Sequence, residues 1–127
     1  IHNGDNQQYN DLSFDSLKKI FDAAYEKGMM FALLTGGECL LRKDFREIYS
    51  YLHNKGVILS INTNASLMSN ELVDFLLLNR PERIQISLYG TSNDAYERVT
   101  GRKAFDRVDH SICMLLDAGI INPLLYV

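Results

Sequence analysis

Cysteine is nearly absent: Cys39 and Cys113 are the two that occur, far apart in sequence. That excludes a disulfide framework and any self-contained zinc or iron–sulfur motif within these residues, so no metal ligands are assigned here. Histidine is scarcely better represented. His2, His53 and His110 are scattered, lack a carboxylate or cysteine partner at ligand spacing, and read as surface residues. No apolar run approaches the ~20 residues needed to cross a bilayer, which argues against a membrane protein. The first residues, Ile1-His2-Asn3-Gly4-Asp5-Asn6-Gln7-Gln8, do not resemble a secretory signal, so the cytoplasm is the expected compartment. Positive charge is not in excess. Thirteen Lys and Arg stand against 16 Asp and Glu, and the net charge of −3 disfavours a nucleic-acid-binding surface. Internal repeats and low-complexity linkers are also missing. An initiator methionine is lacking too, so the sequence is expected to be a piece of a longer protein.

What remains is an ordinary globular composition, 46% hydrophobic and 23% charged over 127 residues. That matches one domain or part of one, with a real core and no disorder signature. After a polar leader over residues 1–12, Ser13 reads as an N-cap. The helix it opens carries Phe14, Leu17, Ile20, Phe21 and Ala24, and Gly28 closes it. A strand from Met29 to Leu34 follows. A second helix bears Phe45, Ile48, Tyr49 and Leu52 and stops at Gly56. Val57 to Ile61 is the next strand. Ser69 caps a third helix through Leu72, Phe75 and Leu76, and Pro81 marks its exit. Arg83 to Leu88 reads as a strand and Thr91 to Lys103 as a longer connection, in which Asp94 and Glu97 look like first-turn helix acids. A further helix with Phe105, Val108, Ile112, Leu115 and Leu116 ends at Gly119, and a last strand runs from Ile120 to Val127. Helix and strand alternate strictly, and the strands are short continuous apolar runs. The expected fold class is α/β: a parallel sheet of about four βα units, from an open sheet or a barrel.

Three strands end in small or polar groups: Thr35-Gly36-Gly37-Glu38, Asn62-Thr63-Asn64, and Ser87 with Gly90. In parallel α/β folds ligands sit at this carboxyl end, because βα loops and helix N-termini converge there. The glycine pair removes Cβ atoms, so a ligand can reach bare backbone, and Glu38 adds a carboxylate at the strand mouth. Polar βα loops are also a general property of α/β proteins. The alignment alone leaves a ligand site and an ordinary loop set both open.

The segments Leu34-Thr35-Gly36-Gly37-Glu38, Asp44-Phe45, Ser60-Ile61-Asn62-Thr63-Asn64, Ile86-Ser87-Leu88-Tyr89-Gly90 and Arg98-Val99-Thr100-Gly101 with Phe105 resemble, in order and spacing, the radical S-adenosylmethionine (radical SAM) enzymes. The branch they look most like carries a C-terminal auxiliary-cluster (SPASM-type) domain. The resemblance runs from about Leu12 to the C-terminus. It implies a partial TIM-like (β/α)6 barrel cut at both ends, occupying residues 1–127 and lacking the first and last barrel strands. It also implies a full-length enzyme in which three cysteines hold a 4Fe–4S cluster that binds S-adenosylmethionine. Reductive cleavage then yields a 5′-deoxyadenosyl radical that abstracts hydrogen from substrate. By the same resemblance Gly36, Gly37 and Glu38 would hold the methionine amino group, Asn62 and Asn64 would face the adenosyl moiety or substrate, and Ser87 would bond the ribose or the methionine carboxylate. Arg98 would pair with that carboxylate. The parent would modify a peptide or protein or serve cofactor biosynthesis, drawing electrons from a reductase.

Two departures stand out. Cys39 occupies a position that is commonly proline in the family, and reads as a buried structural thiol; Cys113 reads as a packed one. The cysteine triad is absent, so this piece is expected to hold neither cluster nor cofactor and to be inactive, while its cut edges invite dimerisation. The basic group Arg98, Arg102, Lys103 and Arg107 reads either as a phosphate-binding group or equally, for all but Arg98, as a solvated helix face, and Met29-Met30 reads as core. A barrel lyase or aldolase would need a Lys or His at a strand end, and none is there. A non-catalytic flavodoxin-like binding module would need an acidic cluster or phosphate loop after its first strand, and neither is visible.

Overall fold

The computed structural model describes residues 11–121. The leader expected over residues 1–12 lies outside them save for Asp11 and Leu12, as does the last strand beyond Ile121. Helices α1 (Phe14–Glu26), α2 (Phe45–Asn54) and α3 (Asn70–Leu78) alternate with strands β1 (Phe31–Leu34), β2 (Ile58–Thr63) and β3 (Arg83–Ile86), after which α4 (Asn93–Thr100) and α5 (Phe105–Asp117) follow in succession. The strands form a parallel sheet in the order β1-β2-β3. The α/β expectation is met, with three strands among the described residues rather than four.

Local sequence explains each boundary. Ser13 Oγ accepts from Ser16 N at 3.1 Å and Ser69 Oγ from Leu72 N at 3.2 Å, so both predicted N-caps form. Helices α1, α2 and α5 end in one and the same device. Gly28, Gly56 and Gly119 take positive φ, and the next residue's N–H returns to the helix: Met29 to Ala24 O, Val57 to Leu52 O, Ile120 to Leu115 O. This return explains why β1 begins at Phe31 instead of Met29. Met29 is still closing α1, and Met30, predicted to be core, is exposed. The predicted connection after β3 contains α4. Ser92 Oγ caps it by accepting from Ala95 N at 3.2 Å, and Gly101 ends it in the left-handed region. That Ser-to-Gly pair is a helix signal, and Asp94 sits in its first turn as read from sequence.

Alternation sorts the sheet into two faces. Leu59, Ile61 and Thr63 of β2 and Ile84 and Ile86 of β3 are covered, and they pack with Tyr49, Leu52, Leu76, Val108 and Leu115 in one core. Burying each large aliphatic chain stabilises the fold by roughly 1.5–3 kcal/mol. Phe31, Leu33, Ile58, Ser60, Asn62, Arg83 and Gln85 lie on the opposite face, which the described residues leave uncovered; Phe31 is 66% exposed and Leu33 52%. Helix α1 docks on α2 through an edge-on Phe14–Tyr51 pair and through Asp22, which accepts from Tyr51 Oη at 2.6 Å and faces Lys55 Nζ at 2.8 Å.

Tyr49 is fully buried and donates to Asn79 O at 2.6 Å, tying α2 to the end of α3. Burial pushes its phenol from 10 up to about 12. The neutral form is therefore favoured in the fold, and the stability it contributes is present below pH 10 and lost as pH rises toward about 12. Tyr49→Phe should cost about 1 kcal/mol in denaturant unfolding at neutral pH and should flatten that alkaline decline. An unchanged midpoint would show that the Asn79 bond contributes nothing.

Candidate functional site

The carboxyl ends of β1 and β2 are joined by a small hydrogen-bond network centred on Glu38. The glycine pair that precedes it faces open space. A Cβ built on Gly36 or Gly37 would meet nothing within 4 Å, and Gly36 has φ +142°, which side chains resist. Gly90 is different: a Cβ there would lie 2.8 Å from Tyr96 N, so its absence lets the loop after β3 pack on α4. The chain then turns through a short 3₁₀ segment, Cys39–Leu41, capped by Glu38 itself.

Glu38 Oε1 accepts from Thr63 Oγ1 at 2.7 Å and from Leu40 N at 3.1 Å, and Oε2 accepts from Asn64 N at 2.8 Å. A carboxylate offers about four acceptor positions, so these donors occupy all but one. Cys39 adds a further link, since its Sγ lies 3.4 Å from Asn62 O, a better acceptor for the single thiol proton than Glu38 Oε1 at 3.9 Å. Cys39 is buried, as expected, and burial followed by the Glu38 charge pushes its thiol from 9.0 up to about 11. Cys113, expected to be packed, is instead exposed on α5.

The other candidates fall into three settings. Asn62 and Ser87 share the uncovered face of the sheet, and Ser87 N extends the ladder by donating to Thr63 O at 3.0 Å. Asn64 is a loop former: its Oδ1 accepts from Ser66 N at 2.9 Å, which shapes the tight turn where Ala65 takes φ 58°. It also borders a cleft of about 400 Å³ with Ser66, Tyr89, Tyr96, Thr100 and Arg102. Arg98 lies in the last turn of α4, exposed, and no hydrogen bond joins it to the other candidates among the described residues. Arg102, a member of the basic group left open between phosphate binding and a solvated face, is the cation that lines the cleft among the described residues.

Thr63 is the residue that the sequence reading passed over. Its Oγ1 both donates to Glu38 and accepts from Ala65 N at 3.0 Å, and the residue is 4% exposed. The signal was available in the alternation of Leu59, Ile61 and Thr63, which puts Thr63 on the covered face and Asn62 on the open one.

Backbone open to approach on the Gly36-Gly37 side suits a small ligand with an amine, which carbonyl oxygens can accept. The described residues do not fit an iron–sulfur cluster: no group of three or more His, Cys, Asp or Glu could hold a metal among them. No helix among them is long and apolar enough to cross a membrane. Alkylation checks the two thiols. At about pH 8 iodoacetamide should modify Cys113 while Cys39 stays protected in the folded protein, because the thiolate is the reactive form. Rapid labelling of Cys39 would show that the Glu38 loop opens.

Comparison with known proteins assigns a family. The profile of the Radical SAM superfamily matches residues 2–127. The probable GTP 3′,8-cyclase of Saccharolobus solfataricus is 36% identical over 111 residues, 87% of this chain and 36% of that protein. The protein of the same name from Halobacterium salinarum is 32% identical over 111 residues, covering 87% of this chain and 30% of its own length. The chain thus spans about a third of the curated relatives it matches. No solved structure matches it significantly. A parallel α/β sheet with an open glycine loop at its carboxyl end, matched along almost its whole length, is a family assignment: the chain belongs to the radical SAM superfamily.

Proposed function

We propose that this chain is the central part of an enzyme that cleaves S-adenosylmethionine reductively, the cofactor supplying a 5′-deoxyadenosyl radical for hydrogen abstraction, and that its own contribution is to hold the cofactor. One observation carries the site assignment: Gly36 and Gly37 stand open at the carboxyl end of β1, beside the hydrogen-bonded ends of the β1 and β2 loops, whereas the other open glycines among the described residues close helices. In this reading the Gly36 and Gly37 carbonyls accept from the methionine ammonium. Asn62 and Ser87 reach the ligand from the uncovered face, Asn64 lines the cleft beside it, and Arg98, a planar guanidinium at the end of α4, takes the carboxylate. Glu38 completes the loop.

For the substrate, the relatives' name supports a purine nucleoside triphosphate, GTP. A second reading, a peptide-modifying enzyme of the SPASM-type branch, is favoured by the uncovered face. That face presents Phe31, Leu33 and Ile58 beside a single cation, Arg83, which suits an apolar side chain better than three phosphates.

In the full-length protein, reconstituted anaerobically, Gly37→Val should weaken S-adenosylmethionine binding at least about tenfold with cluster absorbance intact. Equal binding would remove the glycine loop from the site. With reductant and S-adenosylmethionine, GTP should be consumed in step with 5′-deoxyadenosine release if the nucleotide reading holds. Release that GTP leaves unchanged would favour the peptide reading.

A further inference from the structure

Building on the S-adenosylmethionine reading, we infer that Glu38 is a positioning residue that clasps the loops after β1 and β2 together, and that its effect on the ligand passes through those loops.

The geometry separates the carboxylate from the open glycines. Its strongest contact, 2.7 Å, is to Thr63 Oγ1, and Thr63 alternates to the covered face. Among the described residues, Asn62 and Ser87, which lie on the uncovered side, are not among its hydrogen-bond partners. The carboxylate is thus drawn toward the covered side of the sheet, away from Asn62 and Ser87. Both of its oxygens are held across the strand boundary, Oε1 by Thr63 and Oε2 by Asn64 N, while Leu40 N holds Oε1 from within its own loop. The Cys39 Sγ bond to Asn62 O runs parallel to the clasp and fixes the same two segments.

Such a clasp has a clear use. Gly36 and Gly37 carry no side chains, and a Cβ on either would meet nothing within 4 Å, so no side-chain packing at these positions fixes the loop. Tying Glu38, the next residue, to β2 anchors one end of the loop to the rigid centre of the sheet. A ligand that meets a pre-ordered loop does not lose affinity to the fraction of loops in the wrong shape.

The test uses the full-length protein and two probes, S-adenosylmethionine and its analogue without the amino group. Glu38→Gln and Thr63→Val should each weaken binding of both probes by about the same factor, near tenfold, and the double variant should lose little more than the worse single one. Thr63→Ser should restore wild-type affinity. Without ligand, amide exchange at Asn64 should accelerate in Glu38→Gln. A Glu38→Gln loss that appears with S-adenosylmethionine and vanishes with the desamino analogue would make Glu38 a direct amine ligand and overturn the inference. So would additive losses in the double variant, or unchanged exchange at Asn64. If the wild-type protein binds neither probe, the cofactor reading falls by itself, and exchange at Asn64 still decides whether the clasp exists.

Discussion

The strand-end candidates owe their place to β2, the central strand. Its parallel register against β1 pairs Leu34 with Ile61, and its register against β3 pairs Thr63 with Ile86. Because all three strands run the same way, their carboxyl ends meet along one edge, and the loops after them are neighbours however far apart they lie in sequence. A one-residue slip would exchange Thr63 for Asn62 on the covered face and would leave Glu38 without its short partner. The register is held by the aliphatic residues of the covered face, so the core beneath the sheet sets the geometry of the polar edge above it.

On that edge the structure distributes its restraints unevenly. The β2 loop is over-determined. Thr63 Oγ1 bridges Glu38 and Ala65 N, Asn64 Oδ1 holds Ser66 N, and Ala65 accepts a left-handed conformation with its side chain fully buried. A non-glycine residue keeps such a conformation where its surroundings leave no alternative. The β1 loop is the opposite: two glycines with empty space around them, followed at once by a residue anchored to β2. A rigid support beside an accessible backbone is a reasonable design for gripping a small charged molecule.

Most of the helices were legible before the fold was seen, because their signals are local. Ser13 and Ser69 cap as their sequences require, and Gly28, Gly56 and Gly119 close three helices by an identical hydrogen-bond return. Strand starts were less legible for the same reason: Met29 and Val57 are apolar and β-like, yet their N–H groups are engaged by the preceding helices. Helix α4 was read as a connection although Ser92 and Gly101 bracket it, since its apolar stripe is thin and Tyr96 is its one buried residue. Of the site, the open glycines were readable as a motif. Glu38's partners were not, because Thr63 and Asn64 lie on a different strand.

What the sequence determined by itself is the alternation of helix and strand as far as β3, the capping of α1 and α3, the closing of α1, α2 and α5, and the grouping of polar residues at strand ends. Each depends on neighbours within a turn or a pleat, where propensity and periodicity act directly. What only the tertiary structure decided is direction and partnership: that Glu38 reaches Thr63, that Asn62 and Ser87 share the uncovered face, that Arg102 rather than Arg98 borders the cleft, and that Cys113 is exposed. These depend on strand register and helix packing between residues distant in the chain. The core supplies that information through the fit of its aliphatic side chains, and no local pattern encodes it.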